Sequence, residues 1–120
     1  MLNFASDPVE SVLHSALNGL SYRQRVASNN IANVDTPGFT ASKVDFEDSL
    51  RSAVQDGDVT GSTGVAASTS LTDATPGADG NNVDLARETM VQMQASFSYQ
   101  LLSRAVGDRF AMISTAIGGM

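Results

Sequence analysis

Apolar positions along the chain fall into two long helical patterns separated by a polar middle. In the first, Leu13, Leu17, Leu20, Gln24, Ala27, Ile31 and Val34 recur at alternating spacings of four and three. That spacing draws a heptad-like stripe along one face of a helix. Asp7 followed by Pro8 predicts its start, because Pro fits the first helical turn and a carboxylate suits the positive end. Asn29, Asn30 and Asn33 weaken the far end. Asp35-Thr36-Pro37-Gly38 then imposes a turn, Pro fixing one φ and Gly being free to take a positive one.

The second pattern runs from Val83 to Ile117 without a Pro and with one interior Gly, Gly107. Either Asn81 or Asn82 can cap it, with Asp84 and Glu88 in the favourable first turn. Two stripes share it: Met90, Met93, Phe97 and Leu101, then Leu102, Val106, Phe110, Ile113 and Ile117. Gly118-Gly119 predicts the stop. Between the helices, Val44, Phe46 and Leu50 open a stretch that passes into Gly, Ser, Thr, Ala and Asp. From Gln55 to Gly80 only Val59, Val65 and Leu71 are large and apolar, too few to offset chain entropy of roughly 1–2 kcal/mol per residue.

The expected fold is mainly α: long N- and C-terminal helices packing as a coiled-coil-like pair, with a largely irregular, flexible central segment. Residues 1–38 hold the first helix and turn, 39–82 the irregular middle (55–80 disordered when free), and 83–120 the second helix. The two helices form one helical domain. Two helices cannot cover all these stripes, so the pattern predicts that other chains complete the burial. An antiparallel hairpin would satisfy part of it.

Composition agrees. The 120 residues include seven Lys and Arg against 13 Asp and Glu, a net charge of -6, with aromatics at 6%, no Trp and no Cys. So few large rings make a self-sufficient core doubtful. An acidic chain lacks the clustered cations that nucleic acid or an anionic membrane demands. Without Cys there are no disulfides, thiol nucleophiles or Cys-ligated zinc. No apolar run approaches a membrane span of roughly 20 residues. Met1 to Glu10 shows neither basic leader nor apolar h-region, so no secretory signal peptide is expected.

Catalytic chemistry is not supported. His14, the one histidine, has Ser11 and Ser15 nearby but no nucleophile elbow, and adjacent helix positions do not face each other. Asp79, Asn81 and Asp84 suggest calcium, yet Met90 stands where an EF-hand needs its Glu, and a capping turn explains the same residues. Gly57, Gly61 and Gly64 lack the Gly-Lys-Ser/Thr of a P-loop. Asp45, Glu47 and Asp48 read as a solvated face, and Met90, Met93 and Met112 as packing. No catalytic, cofactor-binding or metal residues are predicted, and no cofactor.

The run Ala27-Ser28-Asn29-Asn30-Ile31-Ala32-Asn33-Val34-Asp35-Thr36-Pro37-Gly38-Phe39 resembles the signature of the flagellar axial proteins, the rod, hook and hook-associated subunits. Asp79-Gly80-Asn81-Asn82-Val83-Asp84-Leu85 and the short length resemble the proximal-rod members of that family. The resemblance covers roughly residues 12–50 and 79–117. It implies a structural subunit of the bacterial flagellar basal body, exported through the flagellar type III apparatus and stacked helically into a torque-transmitting tube around an export channel. Implied partners are other rod proteins and a base-ring adaptor, in a homo- and hetero-oligomeric assembly, with no nucleic acid and no membrane insertion. Packing within and between subunits then falls to Leu13, Leu17, Leu20, Ile31, Met90, Met93, Phe97, Leu101, Val106, Phe110, Ile113 and Ile117.

In this picture Pro37 and Gly38 reverse or redirect the chain after the first helix, so that the next segment projects against a neighbouring subunit. Asn29, Asn30 and Asn33 fix register by bonding backbone groups across helices. Early export substrates resemble one another in a Phe-x-x-x-apolar element, which Phe46 to Leu50 fits; Leu2 and Phe4 offer a second candidate. A staple of Phe46 onto the first helix explains the same spacing. The resemblance also leads one to expect a stiffer, more basic second helix than one with Arg87, Arg104, Arg109 and Gly107. A soluble, secreted helical-hairpin adaptor acting as a dimer is the alternative reading, although the Trp-x-Gly turn of such proteins is missing.

Overall fold

A computed structural model describes residues 8–57 and 67–118. Its elements are α1 (Pro8–Ala32), β1 (Ser42–Asp45), α2 (Glu47–Asp56), β2 (Ser68–Leu71) and α3 (Leu85–Gly118). The two long helices lie antiparallel. Asn30 near the end of α1 reaches Glu88 near the start of α3 at 3.0 Å, and Glu10 meets Arg109 at 3.6 Å at the opposite end. Between these ties, Gln92 donates to the Ser28 hydroxyl. At 1.5 Å per residue the 34 residues of α3 span about 50 Å, and the molecule measures 67 × 27 × 17 Å.

Small residues line the seam between the helices. Ala16 and Ala27 on α1 and Ala95 on α3 are buried, and short side chains let helix axes approach closely. The core comprises Ala16, Leu20, Val44, Phe46 and Ala95, with Tyr22, Val26, Leu50 and Leu102 packed around it. Such a core is small, as the scarcity of aromatics implied. Val34, the last member of the expected stripe, falls in the turn beyond α1.

After the turn the chain reverses, and the segment that follows packs on its own subunit. Ala41, Val44 and Phe46 are buried against the chain's own helices. The apolar side chains bring the segment back, and α1 side chains satisfy its free edge. Asn30 donates to the Ser42 carbonyl at 2.7 Å and accepts from the Ser42 amide at 3.1 Å, while Arg23 donates to the Val44 carbonyl at 2.8 Å. Thus α1 acts towards this edge as a neighbouring strand would.

The middle also holds regular structure. β1 pairs antiparallel with β2, Ser42 opposite Leu71 and Asp45 opposite Ser68, and α2 ends at Gly57, whose φ of 75° closes the helix with a left-handed cap. All four β2 residues are exposed. The ladder and the Tyr22–Thr69 hydroxyl contact at 2.7 Å hold that strand, so no apolar alternation announces it. Residues 58–66, including Val59 and Val65 of the stretch expected to be disordered, lie outside the described residues. So do Asp7, Gly119, and Leu2 and Phe4 of the second export candidate.

Candidate functional site

Two features can carry a role in assembly: a polar junction at one end of the hairpin and an apolar ridge along the outside of α3. The junction unites both sequence signatures. At the turn, Gly38 (φ 75°) donates its amide to the Asp79 carbonyl at 2.9 Å. Gly80 (φ 80°) crosses it so closely that an added Cβ would lie 3.3 Å from the Gly38 Cα. Asn81 donates its side-chain amide to the carbonyls of Asn33 and Thr36, at 2.9 and 2.8 Å, and its Oδ1 accepts from the Val83 amide at 2.8 Å. Asn82 accepts from the Ala41 amide at 2.7 Å and donates to the Thr72 hydroxyl at 3.1 Å.

Asn30, Asn81 and Asn82 are all buried. A carboxamide offers two donors and an acceptor on one rigid plane, so each can bridge strands of backbone that share no ladder. Asn33 closes the turn locally, donating to the Asn29 carbonyl at 2.8 Å and accepting from the Thr36 hydroxyl at 3.1 Å. Asp35, Pro37 and Asn29 are exposed, and Phe39 is half-buried. These amides therefore set register within one subunit. Asn81 and Asn82 do not cap α3; the Asp84 carboxylate does, accepting from the Arg87 amide at 3.1 Å. Sequence reasoning assigned those two asparagines to the wrong task. Their place beside a positive-φ glycine was the available signal.

The packing residues divide by helix face. Leu20 is buried, and Leu13, Leu17, Ile31, Val106 and Ile113 are half-buried. The remaining α3 residues point outward: Met90, Met93, Phe97 and Leu101 are 60, 67, 63 and 54% exposed, and Phe110 and Ile117 are exposed as well. Met90, Met93 and Phe97 share one face by helical spacing, opposite Glu88 and Ala95, which face α1. From Thr89 to Ser103 the helix carries no charged side chain. An exposed apolar row with neutral flanks has the composition of an interface centre.

Phe46 of the export candidate is buried on Gly19, where an added Cβ would meet ring atoms at 2.5 to 2.7 Å. Leu50 is half-buried beside it. This is the staple that the spacing also allowed. Arg23 lies over the Phe46 ring, 4.8 Å from its centroid, and donates to Glu47 at 2.8 Å. That hydrogen bond holds the Glu47 carboxyl below its ordinary value, outweighing the opposing effect of partial burial. His14 is exposed and lies 3.4 Å from Glu10, one helical turn away. Among the described residues no group of His, Cys, Asp or Glu is placed to hold a metal ion, and no helix is long and apolar enough to cross a membrane.

Residues 11–40, which are most of α1 and its turn, match the family described as flagella basal body rod protein. Several similar proteins bear the name flagellar basal body rod protein FlgB. One from Yersinia enterocolitica is 38% identical over 106 residues, covering 71% of this chain and 75% of the relative. Another from Escherichia coli strain K12 is 35% identical, with 87 and 89% covered. A third, from Bacillus subtilis, is 30% identical, with 89 and 91% covered. These names describe a structural part of the flagellum and no catalytic activity.

Proposed function

The chain belongs to the flagellar basal body rod protein family, and from that premise we propose that it is a structural subunit of the proximal rod. It assembles helically through its terminal helices, in a tube that transmits torque and encloses the export channel. Other rod proteins and a base-ring adaptor are its neighbours, in the periplasmic part of the basal body, and the flagellar type III apparatus delivers it there.

The exposed row Met90, Met93, Phe97 and Leu101 on α3 is the observation that carries this reading. Large apolar side chains left in water across several turns gain about 25 cal/mol per Å² when a neighbour covers them. The ridge runs along a rigid helix, so one subunit can be gripped at several levels. A heterologous contact whose rotation does not close extends into a helical array. The small core serves delivery as well, since a weakly buried chain unfolds readily for passage through a narrow conduit. Phe46 and Leu50 then become available to the export gate in the unfolded chain. Deleting the gene tests the reading: loss of the rod and of swimming is expected, restored by the gene in trans, and a motile deletion strain with intact basal bodies would overturn it.

A further inference from the structure

The seam between the long helices runs on past the start of α1. By helical spacing Leu102, Val106, Ile113 and Ile117 continue the line of Ala95, on the side of α3 that packs on α1. Ala95 is buried and Leu102, Val106 and Ile113 are half-buried, but Ile117 is 58% exposed and Phe110 beside this line is 65% exposed. Three ties keep one antiparallel register: Asn30 with Glu88, Ser28 with Gln92 and Glu10 with Arg109. Carried past Arg109, that register sets Ile113 at the level of Ser6 and Ile117 at the level of Leu2, both ahead of Pro8, where α1 begins. A groove of about 390 Å³ lies there, lined by Phe110, Ile113, Ser114, Ile117 and Gly118, none of them charged.

We propose that residues 1–7 run on along α3 and seat Leu2 and Phe4 in this groove, completing the seam within one subunit. The contact goes beyond the rod-subunit reading and does not depend on it. Asp7 precedes a proline, and the residue before a proline avoids helical backbone, so the segment leaves α1 extended. Leu2 and Phe4 then share one face, as residues two apart do in extended chain. Four such residues span about 13 Å, whereas Ile113 and Ile117 lie about 3 and 9 Å beyond the level of Pro8 along α3. Phe4 therefore reaches both levels with slack, and Leu2 can lie beside it. Tethered to α1, the segment meets the groove at an effective concentration on the order of millimolar, which a second copy free in solution does not match. The ridge of Met90, Met93, Phe97 and Leu101 lies on the other side of α3 and stays open to neighbours.

The chain has no Cys, so a single introduced thiol can report on the groove. In the purified full chain, Ser114→Cys places it among the lining residues. Its alkylation by a maleimide should be about tenfold or more slower than in the same chain carrying Leu2→Ser/Phe4→Ser, because only the undocked minority reacts. The difference should not change with protein concentration. A thiol from Leu101→Cys, on the exposed ridge, should react at one rate with and without the N-terminal substitutions. Equal rates for Ser114→Cys in the two backgrounds would overturn the proposal: fast in both means a bare groove, slow in both a different occupant. Protection that grows with protein concentration would show a second copy covering the groove and would overturn it as well.

Discussion

The side chain of Asn81 donates to the backbone carbonyl of Thr36 at 2.8 Å, tying the approach to the second long helix to the turn that ends the first. A second donation from the same amide, to the Asn33 carbonyl at 2.9 Å, makes the tie bidentate. The two sequence signatures are therefore halves of one joint.

Replacing Asn81 by Ala should destabilise the fold by about 1–3 kcal/mol, because two carbonyls and the Val83 amide lose their partner. Asn81→Asp should cost at least as much at neutral pH, since it turns the donor towards those carbonyls into another acceptor. Urea denaturation followed by circular dichroism measures both.

Gly19→Ala should also destabilise. Ala normally favours a helix interior over Gly by about 1 kcal/mol. Here the new methyl would collide with the Phe46 ring at 2.5 Å, and overpacking of this kind costs typically 1–3 kcal/mol. Shortening the ring in the double variant Gly19→Ala/Phe46→Leu should recover part of the loss, which a double-mutant cycle reads as a coupling energy.

Acid should weaken the attachment of α2 through Glu47. Its folded-state pKa lies below the ordinary value of 4.5 because Arg23 hydrogen-bonds the carboxylate. The contribution is therefore whole above about 4.5 and disappears as pH falls through the lower folded value. Glu47→Gln should lower the urea midpoint at pH 7 and leave the difference from the parent chain much reduced at pH 3.

Periodicity alone makes the two helices and the intervening turn readable. It could not say which apolar stripe faces inward. Met90, Met93, Phe97 and Leu101 have the spacing of a core, but the face that packs on α1 is marked by Ala95 and Glu88, too small and too polar to register as hydrophobic. The junction was legible only as two separate motifs, since hydrogen bonds spanning some 45 residues leave no periodic trace. Ser68-Thr69-Ser70-Leu71 has no alternation at all, and its pairing comes from backbone ladders anchored by Asn82 and Tyr22. Tertiary context supplied what local propensity lacked.

The ridge variant Phe97→Asp/Leu101→Asp should leave the isolated chain as stable as the parent to within about 0.5 kcal/mol, because both side chains already stand in solvent. Thermal melts of the two purified proteins provide the comparison.

Electron cryotomography of cells whose only copy of the gene carries Phe97→Asp/Leu101→Asp tests the assembly role of this face most directly. Basal bodies that stop below the rod, in cells that still make the folded variant, are the predicted result. Complete rods and normal swimming in that strain would contradict it.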